Sequence, residues 1–149
     1  TKIDRYNSEL VGLNGRLDSI QAAVLLEKLS IFEDELVMRN EINVYYRKFL
    51  NNAQYNPKDY NSAHALFSII LGSEKKRNNL IDKLSSKEIP SVIYYKFPIH
   101  LMSAFENLKY SEGDFPISES LSKKILSIPM HPYLSTDDID HIISTMQEK

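Results

Sequence analysis

Cysteine is absent from the sequence. That excludes disulfides, cysteine-ligated zinc and thiol nucleophiles together. An excess of positive charge is absent as well: the formal net charge is −2, with both signs interspersed. No basic field exists to neutralise a run of phosphates, which argues against a nucleic-acid partner. Long hydrophobic runs are missing too. The longest, such as Ala22 to Leu26 and Leu66 to Leu71, are far too short to span a bilayer, so no membrane partner is expected. There is no internal repeat, no low-complexity segment and no signal-peptide pattern at the start. The expected setting is the cytoplasm. The first residue is Thr1 rather than Met, and the expectation is an excised piece of a longer polypeptide.

What is present is ordinary globular material. The 149 residues are 42% hydrophobic and 26% charged, which is not a disordered composition. A chain of this length suits one domain and buries about 68–70% of its unfolded surface.

Thr1 to Arg16 have weak periodicity and read as an irregular entry. Asp18 with Gln21 three residues on has the form of a capping box. Ile20, Val24, Leu25, Leu26 and Leu29 follow helical spacing, and Phe32, Leu36, Ile42, Tyr45, Tyr46 and Phe49 continue it. No proline interrupts before Pro57. The pattern predicts one long helix from about Asp18 to about Leu50. A helix of that length usually crosses a domain boundary or a subunit interface. Asn51 to Asn61 form a connection.

Ala65 to Leu71 and Ile89 to Tyr95 read as strands, the second broken early by Pro90, and Ile125 to Met130 as a third. Ser73 caps a helix bearing Leu80, Ile81 and Leu84. Pro98 to Phe105 is a loop or short helix, and Pro116 opens another helix. Ser135 caps the last one, with Asp137 and Asp138 in its first turn where the helix dipole favours them. Its core stripe is Ile139, Ile142, Ile143 and Met146. The charged run Glu74 to Arg77 reads as a solvated helix start. The order implies an α+β fold, a small sheet covered by helices.

The stretch Val11 to Ala23 (VGLNGRLDSIQAA) is the most informative. Gly12 and Gly15 allow backbone angles closed to other residues. Asn14 offers an amide donor and Arg16 a planar guanidinium fork, just ahead of a helix N-terminus. That set suits an anionic ligand. A plain turn whose Arg16 pairs with a surface carboxylate is the other reading of the same residues. His64 and His141 show no ligand spacing, and a metal site is not expected. His131, between Met130 and Pro132, reads as structural.

This stretch resembles the G-x-N-x-R motif and following Q-A-A helix of the DegT/DnrJ/EryC1/StrS family of sugar aminotransferases. Further landmarks follow in the family's order. They are the Arg39 to Tyr45 pattern, Ser62-Ala63 before a strand, Tyr95-Lys96-Phe97-Pro98-Ile99-His100 (Y-x-x-P-x-H), Leu126-Ser127-Ile128-Pro129-Met130-His131-Pro132 (of the type L-S-L-P-M-H-P), and Asp138 to Ile143 (D-I-x-x-I-I). The likeness covers nearly the whole chain. It implies the C-terminal small domain of the aspartate-aminotransferase-type, fold type I transferase fold. The implied division is residues 1–50 as interface segment and long helix, and 51–149 as the small domain.

The resemblance also implies an activity and its parts. Such enzymes move an amino group, commonly from glutamate, to a keto group of a nucleotide-linked sugar, for surface polysaccharide, glycan or antibiotic-sugar synthesis. Pyridoxal phosphate is the electron sink, held by a lysine as a Schiff base. That lysine belongs upstream of the G-x-N-x-R motif, where this chain has only Lys2. No catalytic residue is therefore expected in this chain, and no cofactor is expected bound to it alone. As a homodimer, the parent would place Asn14 on the cofactor phosphate of the neighbouring subunit, with Arg16 near the sugar nucleotide in the same shared site. His100 would sit at the site's edge against substrate; alternatively it is a hydrogen-bonded histidine that shapes the Pro98 turn. Tyr95 would bond a ligand, or else is a core aromatic at a strand end. Two departures touch substrate contacts: Tyr94 where the family often has histidine, and His64 where it commonly has tryptophan. From other classes, the chain reads as a non-catalytic dimerisation or interaction module that keeps this fold. A nucleotide-sugar binder using Arg16 and His100 alone is a third reading.

Overall fold

The structure is a computed structural model that describes residues 15–53 and 62–148. Asn14, most of the irregular entry and most of the Asn51 to Asn61 connection lie outside the described residues. The chain divides into two compact units, Thr1–Glu33 and Asp34–Lys149.

In the first unit, helix α1 runs Ser19–Ser30. Asp18 caps it: its carboxylate accepts from the Ile20 amide at 2.8 Å, and Gln21 reaches back to the Asp18 amide at 3.3 Å. The capping box expected from the sequence is present. No residue of α1 is buried, and Leu17, Ile20, Val24, Leu25, Leu26 and Leu29 are all exposed.

The single long helix expected from Asp18 to Leu50 is two. A second helix, α2, spans Phe32–Phe49, and Ile31 stands between them at φ −109°, ψ 2°. The cause is local. The Ser30 hydroxyl donates to the Glu27 carbonyl at 2.7 Å. It occupies the acceptor that an uninterrupted helix would offer to the Ile31 amide, and that amide turns to the Leu29 carbonyl instead. Serine hydroxyls competing in this way bend or end helices.

In the second unit α2 carries Ile42 and Tyr46 inward, followed by Leu50, all buried. The spacing of four puts them on one face. Phe49, expected on the same stripe, is exposed. The sheet has two antiparallel strands, β1 (Phe67–Ile70) and β2 (Ile125–Ile128), with Phe67 opposite Ile128 and Ile70 opposite Ile125. The strands expected at Ala65 to Leu71 and Ile125 to Met130 are there, each shortened.

The remaining expected strand, Ile89 to Tyr95, does not form. Only Val92 pairs with Ser127, through two backbone bonds of 3.0 and 2.9 Å. Pro90 has no amide to extend the ladder, and the chain turns at Tyr94 and Tyr95.

Three more helices complete the unit: α3 (Glu74–Ser86), α4 (Pro116–Lys124) and α5 (Thr136–Gln147). Short 3-10 turns cover Ile99–Leu101 and Ser103–Leu108. Ser73 caps α3, and Ser135 with Asp138 forms a capping box on α5. The core joins Ile42 and Tyr46 of α2, and Leu50 just after it, to Phe67, Ile69, Leu84, Leu126, Ile128, Ile139, Ile142 and Ile143. Each such side chain contributes about 1.5–3 kcal/mol through burial.

The charged run at the start of α3 is not wholly solvated. Arg77 is 4% exposed. Its guanidinium donates to the Ser122 carbonyl at the end of α4 and to Glu74 Oε1, each at 3.0 Å. A buried guanidinium persists only when its donors are satisfied, and here that requirement ties α3 to α4. The described elements make an α+β fold. Among the described residues no helix is long and apolar enough to cross a membrane.

Candidate functional site

Pro98 is buried and begins the turn Ile99–Leu101, which carries His100. Sequence neighbours on either side diverge: Tyr95, Phe97 and Ile99 are exposed, whereas the His100 side chain is only 8% exposed. Its Nε2 lies 3.0 Å from Glu119 Oε1, and its ring packs on Phe115 with centroids 4.7 Å apart. Tyr110 meets the other side of that cluster, edge-on to Phe115 at 5.1 Å.

Glu119 is the hub. It sits in the first turn of α4, a helix that starts with a proline and has no side-chain cap of its own. Its carboxylate folds back over the helix start. It accepts from the Gly113 amide at 2.9 and 3.0 Å and from the Phe115 amide at 3.1 Å, besides facing His100. Gly113 has φ +101°, a conformation that favours glycine. Burial works against the charged form of Glu119. The two amides and His100 outweigh it and hold the carboxyl below the usual range.

Beside this hub runs an open groove of about 610 Å³, lined by Tyr95, Phe97, Ile99, Phe115, Ile117 and Leu121 among others. Tyr95 is 62% exposed on it. The structure therefore brings Tyr95 and His100 onto one segment, the first turned outward and the second braced inward. Asn14 is outside the described residues. Arg16 belongs to the first unit. It is exposed, and no ion pair or hydrogen bond reaches it among the described residues.

A second groove, of about 520 Å³, includes Tyr94, His131, Asp138 and His141 in its lining. His131 Nδ1 accepts from the Tyr133 amide at 3.2 Å. Hydrogen bonds from Ser135, chiefly its hydroxyl and then its amide, hold the Asp138 carboxyl below its ordinary range against some burial, with His131 and His141 adding to the effect. Among the described residues no group of three or more histidines and carboxylates could hold a metal.

Sequence reasoning missed Glu119. The available signal was a glutamate three residues after the proline that opens a helix, preceded by a glycine-bearing turn (Gly113 to Glu119). An acidic side chain there can serve amides that no cap satisfies.

The chain matches the model of the DegT/DnrJ/EryC1/StrS aminotransferase family over residues 1–147. It belongs to that family. The DegT-family chain is 32% identical over 145 residues to the erythromycin biosynthesis sensory transduction protein EryC1 of Saccharopolyspora erythraea, covering 96% of this chain and 40% of that protein. It is 29% identical over 146 residues to the UDP-2-acetamido-2-deoxy-3-oxo-D-glucuronate aminotransferase of Pseudomonas aeruginosa, covering 95% and 39%. Among solved structures, a DegT DnrJ EryC1 StrS aminotransferase from Brucella abortus matches with a TM-score of 0.82 and 44% identity over 97% of this chain and 39% of that one. S. venezuelae DesV, solved in complex with a ketimine intermediate, gives 0.85 and 26% with the same coverage. The DegT-family chain thus spans about 40% of the length of the relatives it matches. Its fold is the C-terminal small domain of the fold type I transferases, as the sequence led one to expect.

The family implies pyridoxal phosphate. Every described lysine is exposed or half-buried, and Lys96 and Lys123, which line a groove with Phe97, Glu112 and Glu119, are both exposed. The described residues do not by themselves build a site for that cofactor.

Proposed function

We propose that the chain is the C-terminal part of an aminotransferase that uses pyridoxal phosphate to move an amino group from glutamate to a keto group of a nucleotide-linked sugar. The product would serve surface polysaccharide or glycan synthesis in the cytoplasm. The family match over residues 1–147, which takes in the Gly12 to Arg16 motif, carries this reading. Relatives named as a UDP-linked sugar aminotransferase and a dTDP-linked sugar transaminase, beside one named as a GDP-perosamine synthase, support the substrate class.

In this reading the parent is a homodimer. Asn14 reaches the cofactor phosphate of the neighbouring subunit, and Arg16 lies near the anionic sugar nucleotide. The exposure of Arg16 and its lack of a partner among the described residues suit a guanidinium reserved for a ligand. The exposed ring of Tyr95 supplies a hydroxyl at the site's edge, and His100 steadies the turn beside it.

The test uses the full-length protein containing this chain, loaded with pyridoxal phosphate. It is offered glutamate and a panel of UDP-, dTDP- and GDP-linked keto sugars, and amino-sugar formation is read by mass spectrometry. The expected result is transfer to at least one class, reduced at least tenfold by Arg16→Ala. The 149-residue chain alone should show no visible absorption from bound cofactor. A loaded full-length protein that aminates none of the panel refutes the reading and favours a non-catalytic module. An Arg16→Ala variant with unchanged KM refutes the role given to Arg16.

A further inference from the structure

The tautomer of His100 follows from its neighbour. Glu119 is held below the usual carboxylate range, so it is ionised near neutral pH and only accepts hydrogen bonds. The imidazole nitrogen 3.0 Å from it, Nε2, must then carry a proton. In the neutral ring this leaves Nδ1 with a lone pair. Among the described residues no polar group meets Nδ1, and no buried side-chain nitrogen or oxygen is left without a partner. Nδ1 therefore opens to solvent although most of the ring is enclosed.

The orientation is equally constrained. Phe115 packs on the ring, and the Phe115 amide is bonded to the same carboxylate that holds Nε2. One carboxylate thus sets the ring's tautomer, its tilt through Phe115, and the turn at Gly113. Three donors converge on Glu119, the Gly113 and Phe115 amides and His100 Nε2, and the last belongs to the segment that bears Tyr95.

We propose that Glu119 is a positioning residue: it locks His100 with Nδ1 presented as a hydrogen-bond acceptor for a hydroxyl of the sugar substrate. This rests on the nucleotide-sugar aminotransferase reading given above. Glu119 touches no ligand itself and acts only through His100. The arrangement follows the rule by which a carboxylate behind a histidine fixes the reactive nitrogen. An acceptor so fixed discriminates for a hydroxyl, because an analogue lacking it leaves Nδ1 unpaired.

The test uses the full-length, cofactor-loaded protein. Histidine is labelled with nitrogen-15 and the His100 signals are assigned by their loss in His100→Phe. At a pH where the ring is neutral, the wild type should show a protonated Nε2 and a bare Nδ1, and Glu119→Gln should show a mixture of tautomers. In steady-state kinetics, Glu119→Gln should raise KM for the nucleotide sugar about tenfold, the loss of one hydrogen bond. The KM for the amino donor should be unchanged and kcat should stay within about twofold. His100→Phe keeps the contact with Phe115 and should raise the same KM equally. The double variant should be no worse than either single one.

A wild-type ring with its proton on Nδ1 overturns the proposal whatever the enzyme does. So does a Glu119→Gln effect spread over both substrates and kcat, or a His100→Phe variant with unchanged KM. A wild type that aminates no nucleotide-linked sugar instead sinks the functional reading, and with it the ligand named for Nδ1; the labelled ring still decides whether Glu119 sets the tautomer.

Discussion

Replacing Tyr46 in two ways separates packing from hydrogen bonding in the core. Tyr46 has no exposed surface. Its ring lies 4.8 Å from that of Phe67, and its hydroxyl donates to the Pro129 carbonyl at 3.1 Å. Burial raises the phenol well above its ordinary range, with Asp138 adding to it, so the hydroxyl stays neutral and remains a donor. Tyr46→Phe removes only the donor. Pro129 is half-buried, so its carbonyl can turn to water, and the cost should be about 0.5–1.5 kcal/mol. Tyr46→Ala also removes the ring and leaves a void against Phe67, a loss of about 3–5 kcal/mol. For a unit near 100 residues, each kcal/mol lowers Tm by about 4 °C. Circular-dichroism melts and urea titrations should show a drop of about 2–6 °C for the first variant and at least 12 °C for the second. Equal losses in the two variants would refute the view that the ring, not the hydroxyl, anchors α2 to the sheet.

Further outcomes follow from the corrected features. Arg77→Ala should cost about 1.5–3 kcal/mol in urea unfolding, because charge-assisted bonds between α3 and α4 are lost. Lys75→Ala and Lys76→Ala should stay within about 0.5 kcal/mol. Ser30→Ala frees the Glu27 carbonyl for the Ile31 amide, so hydrogen exchange at Ile31 should slow; unchanged exchange would remove serine as the cause of the break. Ser135→Ala should cost about 0.5–2 kcal/mol through the lost cap. The Asp138 carboxyl is depressed in the folded chain chiefly by Ser135. Its contribution is present above the carboxyl's unfolded value of about 3.9 and fades as pH falls through the lower folded value. Acid unfolding of Ser135→Ala should therefore show a weaker pH dependence in that window.

Much of the fold was legible because it is local. Asp18 with Gln21, Ser73, and Ser135 with Asp138 announce helix starts through bonds spanning three residues, and all three caps are in place. The strands at Phe67–Ile70 and Ile125–Ile128 could be read from short apolar runs between turn residues. The Gly12 to Arg16 motif and its companions pointed to the family that the chain joins.

Where the outcome depended on a competing partner, residue patterns misled. Apolar spacing continued through Ile31, but a serine hydroxyl took the carbonyl that continuity needed. Ile89 to Tyr95 had strand composition, but Pro90 and the turn at Tyr94 left only Val92 to pair.

The sequence by itself determined where capped helices start, where the two paired strands lie and to which family the chain belongs, because caps, short apolar runs and motifs act over a few residues. Only the tertiary structure decided what those segments meet. Arg77 is buried because the Ser122 carbonyl lies 45 positions along the chain. His100 is braced because Glu119, 19 positions away, folds back over an uncapped helix. Contacts between such distant positions arise from packing, which no local pattern of residues encodes.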